Sequence, residues 1–409
     1  MRALHTSDWH IGVNHHKLDR TPDHDHVFSQ LKRIAIEEKV DFILNTGDLF
    51  DSPYPSLEVL RYGWSVLEEL ASVVPGGVVV LCGNHDGAKL FELMGTILKD
   101  RLKIFFVDPT SLRKREGSIV QIPTADGEIV KIGAVPFIKS ASYIRDYLAS
   151  GAERATVTYA DEVGSLEYYV GEWLNGGYDP TRDIRIFAAH LLLDGAEVSG
   201  SEYRLYVERD FVTRPERIPV ADYVAFGHIH KPQYIVGLDN GRYAGSPIPI
   251  DFGEREDRKL AYLISGKPGY ALKIEERYLD IGRRLIEIRG DLPTIRTNRE
   301  AYAGAVAKVY VELDAPISEL ETQVREILQD TTVCTVVGQY RRAQGEMITI
   351  GERVEREPTL PEMFATYLDS ASSIGDPKRV LRYFDHLLGQ VQQGGDSENA
   401  FPEIDEVVR

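Results

Sequence analysis

Apolar residues in the first half of the chain fall into two alternating textures. Short runs such as "RALHT", "VDFILN" and "GVVVLC" are apolar at most positions, the pattern of strands covered on both faces. Between them apolar residues recur at helical spacing, over about His26 to Glu38, Leu57 to Val73 and Ala88 to Leu98. This alternation predicts an α/β fold. Farther on, "IVKIGAVPF", "DIRIFAAH", "DYVAFGH", "QYIVGL", "RYAGS", "KLAYLIS" and "ALKIEERYL" read as strands, several with no helix between them. A second, more antiparallel sheet is therefore expected. Two packed sheets flanked by helices would fill roughly the first 280 residues.

After "LDIGRRLIEIRGDLP" the texture changes. "VAKVYVELD", then Ile317 to Leu328, then "TVCTVVGQY" predict a small β-α-β unit. From about Leu360 the pattern is helical, and Asp376-Pro377 marks a helix start. The Gly-rich, acidic end is expected to be mobile. The expected division is a core of residues 1–283, a small α/β capping domain of 284–357, a helical segment of 358–390 and an acidic tail of 391–409.

Composition narrows the class. At 409 residues the chain is too long for one small core. A net charge of −17 speaks against a chain that coats itself with nucleic acid, because phosphate contacts need local Lys and Arg. The basic clusters Arg113-Lys114-Arg115, Arg283-Arg284 and Arg341-Arg342 are short and read as solvated surface. No apolar run approaches the ~20 residues of a membrane span. No secretory leader is expected, since Arg2 leads straight into "ALHTSDWH". Cys82 and Cys334, far apart in strand-like contexts, suit small buried hydrophobes in a reducing cytoplasm.

Chemistry-bearing residues stand at the ends of five strands. Asp8 and His10 follow "RALHTS", Asp48 follows "FILNTG", and Asn84 and His85 follow "VVVLCG". His190 follows "RIFAA", and His228 and His230 follow "YVAFG". In α/β sheets, ligands bind at the carboxyl ends of strands. The glycines before Asp48, Asn84 and His228 are expected to allow tight strand-to-loop turns. Imidazoles, two carboxylates and an amide oxygen are too many ligands for one tetrahedral zinc. They suit two divalent cations, typically manganese or iron, with zinc or cobalt as options. His5, His15, His16, His24, His26 and His386 lack this context. "DHDH" at Asp23–His26 reads as the exposed first turn of a helix, where Asp is favoured.

These elements, in this order, resemble the calcineurin-like metallophosphoesterase superfamily. "SDWHIG", "GDLFDSPYPS", "GNHDG", "AAHLLLDGA", "FGHIHKPQ" and "YAGSPIPIDFGE" are most similar to its double-strand-break repair nuclease branch. The resemblance implies a two-sheet α/β/β/α sandwich. It assigns one ion to Asp8, His10 and His230, the other to Asn84, His190 and His228, with Asp48 bridging. His85 matches the histidine that contacts the phosphate and assists the leaving oxygen, and Asp86 is placed to orient it. Archaeal and eukaryotic relatives usually carry histidine where this chain has Asp51, so a second acid–base histidine is not expected.

The implied activity is hydrolysis of DNA phosphodiesters, as an exonuclease on duplex and an endonuclease on single-stranded or hairpin DNA. Two divalent ions, Mn²⁺ foremost with Mg²⁺ among the alternatives, would serve as cofactors. The implied partner is an SbcC-type coiled-coil ATPase, with two copies of this chain in a heterotetramer. The chain's nearest approach to a phosphate loop, Ser265–Gly269, has proline where Ser or Thr would ligate magnesium. Any ATP dependence would thus come from another chain, and the apolar positions of Leu360–Gly389 could grip it. Two other readings compete: a phosphoesterase for a small nucleotide, lipid or phosphoprotein, and a non-catalytic scaffold. The scaffold predicts missing ligands, yet every expected position is filled.

Overall fold

The computed structural model describes residues 1–15, 18–113, 115–138, 159–199, 212–315, 317–341 and 347–350. The predicted helical segment 358–390 and the acidic tail lie outside them. Contacts divide the chain into two units. The first comprises residues 1–289, 293–309 and 321–336, and the second 290–292, 310–320 and the chain from 337 on.

The first unit holds two six-stranded sheets. In one, the order is Lys273–Tyr278, Leu260–Ser265, Arg2–Thr6, Phe42–Asn45, Val78–Leu81, Ile104–Val107. In the other it is Gln233–Ile235, Leu238–Tyr243, Tyr223–Gly227, Asp183–His190, Ile129–Val135, Ile119–Pro123. The alternation of side chains along each strand supplies both faces. Val79 and Leu81 join Ile132, Ile186 and Ala225 in a core between the sheets. Val78 and Val80, pointing the other way, pack with Val27, Leu31, Leu67 and Phe91 of the covering helices. Helix Tyr159–Asn175 covers the second sheet through Val163, Leu166, Val170 and Leu174. The α/β/β/α sandwich expected from the sequence is therefore present.

The second sheet is not the more antiparallel one. Three of five pairings are parallel in the first sheet. The same holds in the second. Parallel neighbours need a long crossover. Helix Tyr159–Asn175 lies in the connection between Ile129–Val135 and Asp183–His190, which the strand-like runs alone did not reveal. Antiparallel pairs are confined to the sheet margins, so the central strands of both sheets end at the site.

The first helix runs from Thr21 to Glu37 with proline in its first turn. It places Val27, Phe28, Leu31 and Ala35 on its buried face. "DHDH" does form its first turn, but that turn is only half exposed. Asp23 and His24 are buried. Asp23 takes Nε of Arg20 at 2.6 Å and Nη2 of Arg283 at 2.8 Å, while His24 Nε2 lies 2.7 Å from the Trp9 carbonyl. Helix Leu57–Ala71 is capped by Ser56, whose side chain accepts from Val59 N–H. Past residue 284 the order is strand Leu285–Gly290, strand Val306–Leu313, helix Leu320–Ile327, strand Thr332–Arg341, which contains the predicted β-α-β unit. In the second unit Gly338 to Arg341 pair antiparallel with Met347–Ile350. Both cysteines are free thiols.

Burial opposes charge on Asp23, but Arg283 and Arg20 outweigh it and hold the carboxyl below its ordinary range. Its stabilising contribution is full above the unfolded-state pKa and is lost as pH falls through the depressed folded value. Asp23→Ala should cost about 3–5 kcal/mol, because it strands the buried Arg20 guanidinium. It should also remove part of the acid destabilisation below about pH 4. Urea unfolding of both proteins at pH 3 to 7 measures each effect.

Candidate metal centre

Seven side chains from five strand ends converge where the carboxyl ends of the two sheets meet. The loops that carry them are tied together through backbone groups. Asp8 N–H donates to the Gly47 carbonyl, and His10 N–H to the Asp48 carbonyl. The Asp8 carboxylate accepts from His228 N–H at 3.0 Å, joining the first sheet to the second. Asp48 Oδ1 accepts from His85 N–H at 2.8 Å.

The glycines before the ligands are there mainly for close approach. Gly47 does sit at φ +119°, as a left-handed turn requires. Gly83 and Gly227 have no such φ. A Cβ on Gly83 would lie 2.1 Å from Asp48 Oδ1, and one on Gly227 2.2 Å from Ser7 Oγ. The strain falls on the ligands themselves: Asp8, His10, Asp48 and His228 have φ of 49°, 45°, 50° and 94°. Such backbones cost of order 1–3 kcal/mol each and persist where surrounding structure fixes them.

Three imidazoles have their Nδ1 atoms committed to groups that only accept. His10 Nδ1 lies 3.0 Å from Asp51 Oδ1, and His230 Nδ1 lies 2.9 Å from Glu254 Oε1. His190 Nδ1 lies 2.8 Å from the Thr46 carbonyl. Each Nδ1 therefore donates a proton, and each ring turns its Nε2 inward, where it offers a lone pair once any second proton has left. Those lone pairs meet other acceptors. His10 Nε2 and His230 Nε2 are 3.1 Å apart. His190 Nε2 is 2.8 Å from Asn84 Oδ1 and 3.3 Å from Asp48 Oδ2. Asn84 Oδ1 is also 2.8 Å from His228 Nδ1. Asp48 Oδ2 stands 3.7 Å from His10 Nε2, so one carboxylate faces both groups.

The donor set fits two cations. Asp8, His10 and His230 form one cluster of possible ligands, and Asp8, Asp48 and His190 another. Buried lone pairs pressed together need positive charge between them. Protons supply part of it in the metal-free chain: burial resists, but Asp48 and Asp8 push His190 up to about 9. Burial likewise opposes charge on Asp48, yet His190 and His85 hold its carboxyl well below the usual range. Burial pushes His228 down to about 3, and its buried Nε2 has no partner among the described residues.

Asp86 does not orient His85. Its carboxylate accepts from the N–H groups of Leu49, Phe50 and Gly83 at 3.1, 2.9 and 2.9 Å. It thus clamps the loop after Asp48 to the loop before Asn84, because three nearby backbone donors outcompete one imidazole. His85 Nδ1 instead lies 3.0 Å from the Asp51 carbonyl. Asp51 therefore serves twice, through its side chain on His10 and its backbone on His85.

Glu254 and Lys259 escaped the sequence reading. Both are buried, with Lys259 Nζ 2.6 Å from Glu254 Oε2. Lys259 Nζ also donates to the His230 carbonyl at 3.0 Å and to Ser246 Oγ at 2.9 Å. Burial opposes charge on Glu254, but Lys259 and His230 hold it well below the ordinary carboxylate range. A charged residue opening an apolar strand was the one available signal for Lys259. Of the histidines set apart from the strand ends, His5 spans Tyr223 Oη and Thr46 Oγ1, and His24 Nε2 meets the Trp9 carbonyl. His16 and His386 lie outside the described residues.

The profile of calcineurin-like phosphoesterases matches residues 1–232. A relative from Escherichia coli K12, named as a component of the nuclease SbcCD, is 26% identical over 89% of this chain and 90% of its own. Its counterpart of the same name from Bacillus subtilis is 27% identical over 70% and 72%. That from Rhodobacter capsulatus is 34% identical over 62% and 64%. With more than half its length matched and every metal-facing residue up to His230 inside the match, the chain belongs to the calcineurin-like phosphoesterase family.

Proposed function

We propose that this chain is a metal-dependent DNA nuclease that hydrolyses phosphodiesters in repair and recombination. The observation that carries the reading is the inward convergence of three Nε2 atoms, Asn84 Oδ1 and the Asp48 carboxylate that faces both groups. In this reading Asp8, His10 and His230 hold one divalent ion, Asn84, His190 and His228 the other, and Asp48 touches both. Manganese suits the mixed nitrogen and oxygen set best. Bound there, the ions would polarise the phosphoryl group and lower the pKa of a water.

The chain's own residues do the rest. Asp51, Thr46 and Glu254 keep the three rings in one tautomer and one orientation. Asp86 holds the Asp48 and Asn84 loops in register. His85, its Nδ1 bonded to the Asp51 carbonyl, would pass a proton from Nε2 to the departing 3′-oxygen when its ring is doubly protonated, a form that burial disfavours in the metal-free chain and a bound phosphate would favour.

Relatives of nearly full-length similarity are, by name, components of SbcCD, which supports a DNA substrate and an SbcC-type coiled-coil ATPase partner. Such a partner would supply phosphate contacts that a net charge of −17 makes scarce here. The proposed grip, residues 358–390, the capping role of 284–357, and a pair of these chains in a heterotetramer belong to the same reading. So does a cytoplasmic site of action. Among the described residues, no helix is long and apolar enough to cross a membrane.

The deciding experiment is metal removal and restoration. The chelated chain should degrade no DNA. Adding Mn²⁺ should restore degradation of duplex and hairpin DNA, whereas restored hydrolysis of small esters alone would favour a small-substrate phosphoesterase. His85→Gln should lower DNA cleavage by about 10²–10⁴-fold with metal content and DNA affinity intact. Elemental analysis and anisotropy on the same preparation check this. Metal uptake should release protons near pH 7.5, since metal-free His190 is protonated up to about 9, and affinity should fall as pH falls. Calorimetry in buffers of different ionisation enthalpy counts the protons.

A further inference from the structure

Beside the metal centre lies a cavity of about 560 Å³, within the ~300–1,000 Å³ range of small-ligand sites. One wall is the loop that carries Asn84 and His85, through Gly83, Asp86 and Gly87. The opposite side is largely apolar, with Pro53, Pro55, Leu60, Leu90 and Phe137. Its charged lining residues leave the interior neutral. Asp86 spends its carboxylate on three backbone N–H groups, and Lys89 is exposed.

A second feature marks the rim. Tyr54 is 90% exposed, an unusual position for a large aromatic ring. It stands between Pro53, whose own φ is fixed, and Pro55, which restricts the Tyr54 backbone. The segment is seated on the metal loop: a Cβ on Gly87 would lie 2.5 Å from the Pro53 carbonyl, and the Asp51 carbonyl meets His85 Nδ1. An exposed ring on a proline-bounded segment beside a neutral apolar cavity is a stacking platform for a flat aromatic group.

We propose that Tyr54 and this cavity form a subsite for an unpaired nucleobase of the strand whose phosphate lies at the metal centre. The proposal rests on the DNA-nuclease reading, which puts a phosphodiester next to His85. The base adjoining that phosphate is the flat, neutral group within reach of the cavity. Sequence-tolerant stacking follows, because every base offers a π-face and the apolar wall does not read its edge.

The test uses the full chain with Tyr54→Ala and Tyr54→Trp variants; at 90% exposure neither change should disturb folding or metal content. In EDTA, where nothing is cut, Tyr54→Ala should bind a labelled single-stranded oligonucleotide roughly tenfold more weakly, the usual worth of one stacked base. Tyr54→Trp should restore binding. With Mn²⁺, KM for that oligonucleotide should rise similarly, while hydrolysis of bis(4-nitrophenyl) phosphate stays within about twofold. An oligonucleotide with abasic sites should bind wild type as weakly as it binds Tyr54→Ala. Wild-type affinity in Tyr54→Ala, equal losses on the small ester, or unchanged binding of the abasic strand would each overturn the subsite. A wild-type chain that hydrolyses the small ester but no DNA would defeat the nuclease reading and the subsite together. DNA cleavage that is indifferent to Tyr54 would defeat the subsite alone.

Discussion

The site depends on where three protons sit. Asp51, the Thr46 carbonyl and Glu254 each hold an imidazole Nδ1–H, and by doing so aim three Nε2 atoms at one another and at Asp48. Reverse any one of these bonds and that ring presents a proton to the centre instead of an electron pair. The acceptors come from three separate parts of the chain, so one local change cannot flip all three rings.

Such an arrangement opposes folding, and the rest of the structure offsets it. Four of the converging residues adopt left-handed backbone angles, and two of their carboxylates and four of their imidazoles are buried. The inter-sheet core holds the strand ends in place, and hydrogen bonds between loops fix their register. Glu254 shows the same balance on a small scale. Its charge is buried, and Lys259 keeps it ionised so that it stays an acceptor for His230. Removing Lys259 alone would leave a charge that a low-dielectric site tolerates poorly.

Much of this was legible because chemistry and topology coincide. Residues two apart after a strand, such as Asp8 and His10 or His228 and His230, need only the strand's end to share a destination. The alternation of apolar runs revealed the layers, since strands covered on both faces have a distinctive composition. What stayed hidden depends on distance in three dimensions. Nothing in "GNHDG" says that Asp86 turns back to the Leu49, Phe50 and Gly83 amides instead of meeting its neighbour. The burial of Asp23 in "DHDH" was hard to see because one of its two arginine partners, Arg283, is 260 residues away in sequence. The glycines were recognised at the right positions for an incomplete reason: turn conformation bears on Gly47, but a Cβ there would also lie 2.1 Å from His190 Nδ1, and Gly83 and Gly227 likewise answer to atoms from other strands.

Asp51 is the position where departure from the usual pattern carries most meaning. A histidine there could itself exchange protons with substrate. The carboxylate instead accepts from His10 Nδ1, while the same residue's carbonyl receives His85 Nδ1. A metal-facing ring and the proposed proton donor are thus anchored to one residue on the segment that leads into Pro53 and Tyr54. Movement of that segment when a strand binds would be felt at both rings. Two prolines in that segment would fix the relation between the proposed base subsite and the proposed proton donor.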